Sequence, residues 1–322
     1  MKQETDVLCI GVALVDSIIK GFDPNPVSAS GYRAASGSLN VGGEAVNQSS
    51  AAAKLGLKTG ILCSLGEDEA GRMVLHVLQR AGVNTDRVVR SAEHPTPVST
   101  LFVRDDGTRK SVTNAAHRYN FHPERYTSDL SGVRAVILGS LFRAPFDDAG
   151  VIRAVLRDAR NAGALVFADT KLPNFNVLSL EDLRESLPMI DYITPNEDEA
   201  RYYTGEEDPE RMAGVFLRHG VRNVIIKLGS KGCYFRNATS AIRLPPCPVR
   251  AVDSTGAGDC FIAGFASEIL RGGMPEEALR FANACGAVCT TAVGAATALR
   301  NREQVLEFMK QKEAERQGAA PD

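Results

Sequence analysis

Short apolar runs alternate with helix-period segments along most of the chain, which predicts an α/β fold: a mostly parallel sheet with helices on both faces. Three observations carry this reading. Runs such as Ala135–Leu138 (AVIL) are continuously apolar, as expected of strands buried on both faces. Each run is followed by a segment of helical period, the order of βα units. Two β-rich stretches break the rhythm and predict a small second sheet beside the first.

The predicted strands are Val7–Val12, Thr59–Leu65, Ala135–Leu138, Leu165–Ala168, Tyr192–Thr194 and Asn223–Lys227. The predicted helices are Glu44–Leu55, Ala70–Ala81, Asp147–Asn161, Glu197–Thr204, Pro209–His219, Gly258–Leu270, Pro275–Ala292 and Glu303–Lys312. Residues 17–39 hold the turn cluster Asp23-Pro24-Asn25-Pro26 and no helical period. Residues 97–113 read as a hairpin, because Asp105-Asp106-Gly107 separates two strand-like runs, VSTLFVR and TRKSVT. Residues 282–298, rich in Ala, Thr and Gly, read as a buried helix, and the charged tail 310–322 is expected to fray.

Composition narrows the partners. The 322 residues are 24% charged and 44% hydrophobic, so there is chain enough for a substantial core. A formal net charge of −2 without like-charge runs gives no basic attraction to nucleic acid or to an anionic membrane. The N-terminal apolar run is broken by Asp16 and lacks a cleavage site, and no stretch is apolar for long enough to span a bilayer; a cytoplasmic protein is expected. The seven cysteines are scattered without a C-x-x-C pair and read as reduced core residues. Cys285 and Cys289 share helical spacing, but no His adjoins them, so zinc is not expected.

The chemistry concentrates in Asp253-Ser254-Thr255-Gly256-Ala257-Gly258-Asp259. A turn of small residues runs into a helix striped by Phe261, Phe265 and Ile269. The amides of Gly256, Ala257 and Gly258 at that helix N-terminus suit an anion, through their N–H groups and the helix dipole. Asp259 beside them can take a proton from a nucleophile, the pairing that phosphoryl transfer needs. Read locally, Asp259 serves equally well as a first-turn partner of the dipole, and Gly-Ala-Gly as a tight packing site. Neither a Walker A motif nor a dinucleotide fingerprint is present.

This segment resembles the C-terminal signature of the ribokinase family, the phosphofructokinase-B-type carbohydrate kinases. Three more segments fall in family order. Asn40-Val41-Gly42-Gly43-Glu44-Ala45-Val46-Asn47 is similar to the N-terminal signature, Thr194-Pro195-Asn196-Glu197-Asp198-Glu199 to the N-x-x-E motif, and Ile226-Lys227-Leu228-Gly229-Ser230-Lys231-Gly232 to the turn flanking the nucleotide. The resemblance, from about residue 7 to about residue 298, implies a ribokinase-like three-layer α/β/α domain over residues 1–322, with lid strands at about 15–41 and 97–114. It implies transfer of the γ-phosphate of ATP to a hydroxyl of a small sugar, with Asp259 as base and Gly256, Ala257 and Gly258 as anion hole. Asp16, Gly42, Gly43 and Asn47 would meet the sugar. Asn196, Lys227, Gly229, Ser230, Gly232 and Asn283 would meet the nucleotide. Asn196 and Glu199 would serve Mg²⁺. Asp253, with a loop from Cys289 to Ala298, would hold a possible K⁺. A homodimer through the lid is also implied. Two other functions share the resemblance: a nucleoside kinase, and a sugar-binding regulator without catalysis.

The substrate end departs from ribokinase. Leu14 stands where ribokinases usually carry Asn, Glu44 where they carry Lys, and Arg143 near their sugar-facing Glu. Arg143 and Lys171, with the lid residues Arg104 and Arg109, would suit an anionic sugar; taken singly, each reads more readily as a solvated surface charge. Phe22, Phe102, Phe121 and Phe142 are the aromatic pocket candidates.

Overall fold

The computed structural model describes residues 4–21, 33–104, 106, 108–114 and 121–318. Its strands are β1 (Thr5–Ile10), β2 (Leu14–Lys20), β3 (Ser36–Gly42), β4 (Thr59–Leu62), β5 (Ser64–Gly66), β6 (Val89–Ser91), β7 (Val98–Val103), β8 (Arg109–Thr113), β9 (Val133–Leu141), β10 (Leu165–Thr170), β11 (Tyr192–Ile193), β12 (Asn223–Lys227), β13 (Cys233–Asn237) and β14 (Ala241–Leu244). Its helices are α1 (Glu44–Lys54), α2 (Glu69–Arg80), α3 (Ala149–Asn161), α4 (Glu197–Thr204), α5 (Pro209–Arg218), α6 (Ala257–Leu270), α7 (Pro275–Cys289) and α8 (Arg302–Gly318).

The main sheet has the order β14-β13-β12-β11-β10-β9-β1-β4. The six strands from β12 to β4 run parallel, and β13 and β14 close one edge as an antiparallel hairpin. Period-two alternation assigns the faces. Leu8, Ile10, Val136, Leu138, Val166, Val224 and Ile226 join one core with Ile152, Val155 and Leu156 of α3 and Met212 and Phe216 of α5. Val7, Cys9, Ala135, Ile137, Phe167 and Ile225 join a second core with residues of α1, α6 and α7. Both faces are therefore covered, which is why these strands read as unbroken apolar runs.

A separate four-stranded sheet, β3-β2-β7-β8, stands beside the main one and packs on α1 and α2. β7 and β8 are the expected hairpin. Asp105 and Gly107 of its turn lie outside the described residues, as do Phe22, the cluster 23–26 and the side chain of Arg109.

Some boundaries differ from expectation. The first strand ends at Ile10 rather than Val12, and the predicted Thr59–Leu65 strand divides into β4 and β5, the latter pairing with β6. The stretch 282–298 is only half helical: α7 stops at Cys289 and turns follow, with Gly294 at φ 97. The tail does not fray at Lys310, for α8 continues to Gly318. Cys9, Cys63, Cys233, Cys260, Cys285 and Cys289 are buried, and Cys247 is half-buried. No helix among the described residues is long and apolar enough to cross a membrane.

Candidate active site

The residues singled out by sequence gather at the carboxyl ends of the parallel strands. This is where open α/β sheets bind ligands. Gly139–Arg143 closes β9, Asp169–Lys171 closes β10, Asn196 follows β11 and Lys227 ends β12. Across from them, α6 begins.

Gly256 sits in the left-handed region at φ 78 and turns the chain into α6. A β-carbon there would lie 2.7 Å from that of Ala295, so the turn requires glycine twice over, for its backbone and for its space. The N–H of Ala257 donates to the carbonyl of Ser254 at 3.2 Å. That amide is therefore already used, contrary to its place in the expected anion hole. Among the described residues the N–H groups of Gly256 and Gly258 meet no acceptor, and they remain as the hole's donors. Lys227 strengthens it: a β-carbon on Gly258 would lie 3.2 Å from Lys227 Nζ, so the ammonium stands over that backbone.

Asp259, in the first turn of α6, is 7% exposed. Asn47 Nδ2 donates to its Oδ2 at 2.9 Å, and Gln48 Nε2 donates to its Oδ1 at 3.0 Å. Burial pushes the Asp259 carboxyl up to about 7; Lys171 opposes the rise, Asp169 and Glu44 add to it, and the Asn47 bond opposes it. A carboxyl that titrates near neutrality is suited to general-base work.

Asp169 is the charge hub behind the site. It is 1% exposed, accepts from Lys227 Nζ at 2.5 Å and from Thr194 Oγ1 at 3.0 Å. Lys171 is half-buried, not the solvated charge that its residue type suggests. Burial alone would lower its ammonium, but Asp169, Glu44, Asp259 and Glu199 hold it above its ordinary value. Asn196 and Glu199 form a capping box: Asn196 Oδ1 accepts from the Glu199 N–H at 2.8 Å, and Glu199 Oε2 accepts from the Asn196 N–H at 2.9 Å. Glu199 Oε2 also accepts from Thr170 Oγ1 at 2.8 Å. Burial raises the Glu199 carboxyl, Lys227 opposing. These hard oxygen donors, beside the lysines that would face phosphates, fit Mg²⁺ held through its waters.

At the other end, Gly43 lies at φ 98, and any β-carbon there would run into the Val12 carbonyl oxygen. Gly42 is bare because Asp16 Oδ2 would lie 2.5 Å from its β-carbon. Asp16 lies beyond the first strand. It is the third residue of β2, paired with Asn40 and Ser99 in the second sheet. Burial and then Glu44 push it up to about 6. Arg143 Nε donates to the Leu172 carbonyl at 3.0 Å, which draws the ends of β9 and β10 together.

The nucleotide-flanking residues separate. Gly229 and Ser230 are exposed in a short turn, whereas Gly232 is buried against the Leu244 carbonyl and shapes the β13–β14 edge instead of facing phosphate. Asn283 Nδ2 donates to the Pro245 carbonyl at 3.3 Å, in a cleft shared with Leu244, Cys247 and Met309. Asp253 staples its own loop: Oδ1 accepts from the Thr255 N–H and hydroxyl, and Oδ2 from the Gly294 N–H at 2.9 Å. Lys54 Nζ donates to the Ala296 carbonyl of the same loop at 2.8 Å. Gln48, Asp169 and Lys54 were not legible as site residues. Only the adjacency of Gln48 to Asn47, and of Asp169 to Lys171, could have drawn attention to them.

Residues 4–302 match the family described as pfkB family carbohydrate kinase. The chain is 28% identical over 289 residues to a 2-dehydro-3-deoxygluconokinase of Bacillus subtilis, covering 84% of this chain and 87% of that one. It is 30% identical to a ribokinase of Arabidopsis thaliana, covering 94% and 81% respectively. The structure of an Arabidopsis thaliana ribokinase complexed with ribose and ATP superimposes with a TM-score of 0.83 at 26% identity, over 96% of this chain and 99% of that one. The chain belongs to the pfkB family of carbohydrate kinases, and its reaction is ATP-dependent phosphorylation of a sugar.

Proposed function

We propose that the chain moves the γ-phosphoryl group of ATP directly onto one hydroxyl of a small sugar, with Asp259 as the general base. The observation that carries this is the buried Asp259 carboxylate, clamped by two amides in the same first turn as the Gly256 and Gly258 donors, with the Lys227 ammonium over Gly258. The entering hydroxyl takes the Oδ2 side that Asn47 now holds; its proton passes to Oδ2 as the oxygen attacks phosphorus, the bond from that phosphorus to the bridging oxygen breaks, and ADP leaves. Gly256, Gly258 and Lys227 meet the negative charge on the phosphoryl oxygens. Lys171, half-buried after β10, interacts electrostatically with Asp259 and offsets the crowding of carboxylates there. Asn196 and Glu199 would hold Mg²⁺ through its waters, and the ion would supply positive charge to offset that of the nucleotide phosphates.

The four-stranded sheet serves as the lid of a single 1–322 domain, with Asp16 on its inner strand meeting the sugar. Closure would exclude water and limit wasteful hydrolysis of ATP. Leu39 on β3 and Val112 on β8, the two edge strands of that sheet, are 61% and 66% exposed, which supports dimerisation through the lid. Sedimentation equilibrium of Leu39→Asp should return a monomer; an unchanged mass would remove the lid from the interface. A K⁺ ion would sit at the loop that Asp253 ties to Gly294, and equal turnover in K⁺ and Na⁺ would remove it. Dependence on ATP supports a location in an ATP-holding compartment such as the cytoplasm.

Arg143 and Lys171, at the ends of β9 and β10 respectively, favour an anionic sugar, such as a sugar acid, over neutral ribose. ADP release measured across pentoses, hexoses, sugar acids and nucleosides tests this. Preference for a nucleoside, or ADP release independent of any sugar, would overturn it.

A further inference from the structure

We propose that Gln48 is a positioning residue for this reaction: its side-chain amide holds the Oδ1 edge of Asp259 so that Oδ2 stays turned toward the incoming hydroxyl. The inference rests on the reading of Asp259 as the base.

Neighbouring residues on a helix point about 100° apart. Asn47 and Gln48 are neighbours on α1, yet both amides reach one carboxylate, because α6 drives its first turn into the surface of α1. The two are not equivalent. Asn47 is 9% exposed and has an edge on the site, whereas Gln48 is 0% exposed. Asn47 can exchange Asp259 for a sugar hydroxyl. Gln48 has no access to a sugar and keeps its bond whatever the site contains.

The oxygen of the same Gln48 amide supports this reading. Among the described residues its Oε1 is buried without a hydrogen-bond partner. It faces Gly139, where an added β-carbon would lie 3.1 Å from it. A buried acceptor left unpaired is costly. A side chain that only filled this space would do so better without one. What the residue contributes lies in the other atom of that amide, the Nε2 bond to the base.

The base also feels other groups. Glu44 faces it from α1, Cys9 from β1, Asp169 and Lys171 from the end of β10, and Cys289 from α7, with Cys260 its neighbour on α6. None of these changes in a Gln48 variant, so a shift in the pH profile reports the lost amide.

The test compares Gln48→Met, near in volume, with Gln48→Asn, which keeps a buried amide but retracts it by one methylene. Both should move the acid limb of kcat/KM upward by about one to two pH units, the equivalent of one hydrogen bond to a charged group. KM for sugar and for ATP should stay within about twofold of wild type, since neither contact is lost. Titration of the ¹³C-labelled Asp259 carboxyl by NMR should show the same displacement without any turnover. Profiles and titrations that overlay wild type would make Gln48 a space-filling residue and overturn the proposal. A raised sugar KM with an unmoved profile would overturn it equally. If Gln48→Met does not fold, Gln48→Asn decides the question alone. Retained activity in Asp259→Asn would instead sink the base itself; an inactive Asp259→Asn beside unshifted Gln48 variants would sink only the role of Gln48.

Discussion

At one end of the site Asp259 is buried in the first turn of α6, held by amides from α1, with the Asp169–Lys227 ion pair behind it. At the other, Asp16 sits half-buried on β2, whose partner β3 is exposed along most of its length. Both carboxyls are raised by burial, Asp259 to about 7 and Asp16 to about 6. The surroundings differ. The phosphoryl end is fixed by packing between elements of the main core, while the substrate end depends on a second sheet with its own edges. The comparison teaches that in this chain the base is held by buried packing between elements of the main core, whereas Asp16 is held by a sheet with exposed edges.

The largest expected effect falls on the fixed end. Asp259→Asn should keep the fold and ATP binding while kcat falls by about two orders of magnitude or more; near-normal turnover would break the contrast. In wild type, kcat/KM should fall about tenfold per pH unit from about 7 down to about 6, because the base must be deprotonated to accept the hydroxyl proton. Stability should show the opposite sign. A carboxyl raised from 3.8 to about 7 binds its proton more tightly when folded, so this group favours folding least above pH 7. The Tm of wild type relative to Asp259→Asn should therefore decline between pH 4 and pH 8, read by calorimetry; a constant difference would show that burial does not shift the group.

Glycine substitutions give the next effect and separate backbone from space. Gly43→Ala places a β-carbon at φ 98 against the Val12 carbonyl and should cost about 2 kcal/mol or more in urea unfolding. Gly258→Ala meets only the flexible tip of Lys227 and should cost under about 1 kcal/mol, while lowering kcat by displacing that ammonium from the anion hole. If both variants lose stability alike, Gly258 is a packing glycine and the anion hole is misplaced.

Legibility followed the same division. The unbroken apolar runs marked the parallel strands because both faces of the main sheet are covered. The signature at Gly256–Asp259 was visible because a helix N-terminus without side chains is unusual and local. β13 and β14 escaped, for their hairpin turns on Asn237, whose Oδ1 accepts from the Thr239 and Ser240 N–H groups, without the Asn-Gly or Asp-Gly that marks such turns. Gln48 and Asp169 escaped for a different reason. Their roles arise from partners 211 and 58 residues away, which no periodicity encodes. Asn196 and Glu199 show the limit from the other side: the spacing identified the pair, and the capping box and the expected Mg²⁺ contact use the same oxygens.

The smallest expected effect belongs to the substrate end. Asp16→Asn preserves the shape of the β2 side chain, leaves Gly42 room for it, and removes only the charge that Glu44 already disfavours. Saturating sugar should restore kcat to within about twofold of wild type, with sugar KM raised about tenfold, the worth of one hydrogen bond to a charged acceptor. Wild-type KM should itself rise as pH falls through about 6, where Asp16 takes up its proton and ceases to be a full acceptor, while the KM of Asp16→Asn stays flat over the same range. A pH-dependent KM in the variant would assign the titration to another group. A loss of kcat matching that of Asp259→Asn would place Asp16 in the transition state and erase the distinction between the two ends.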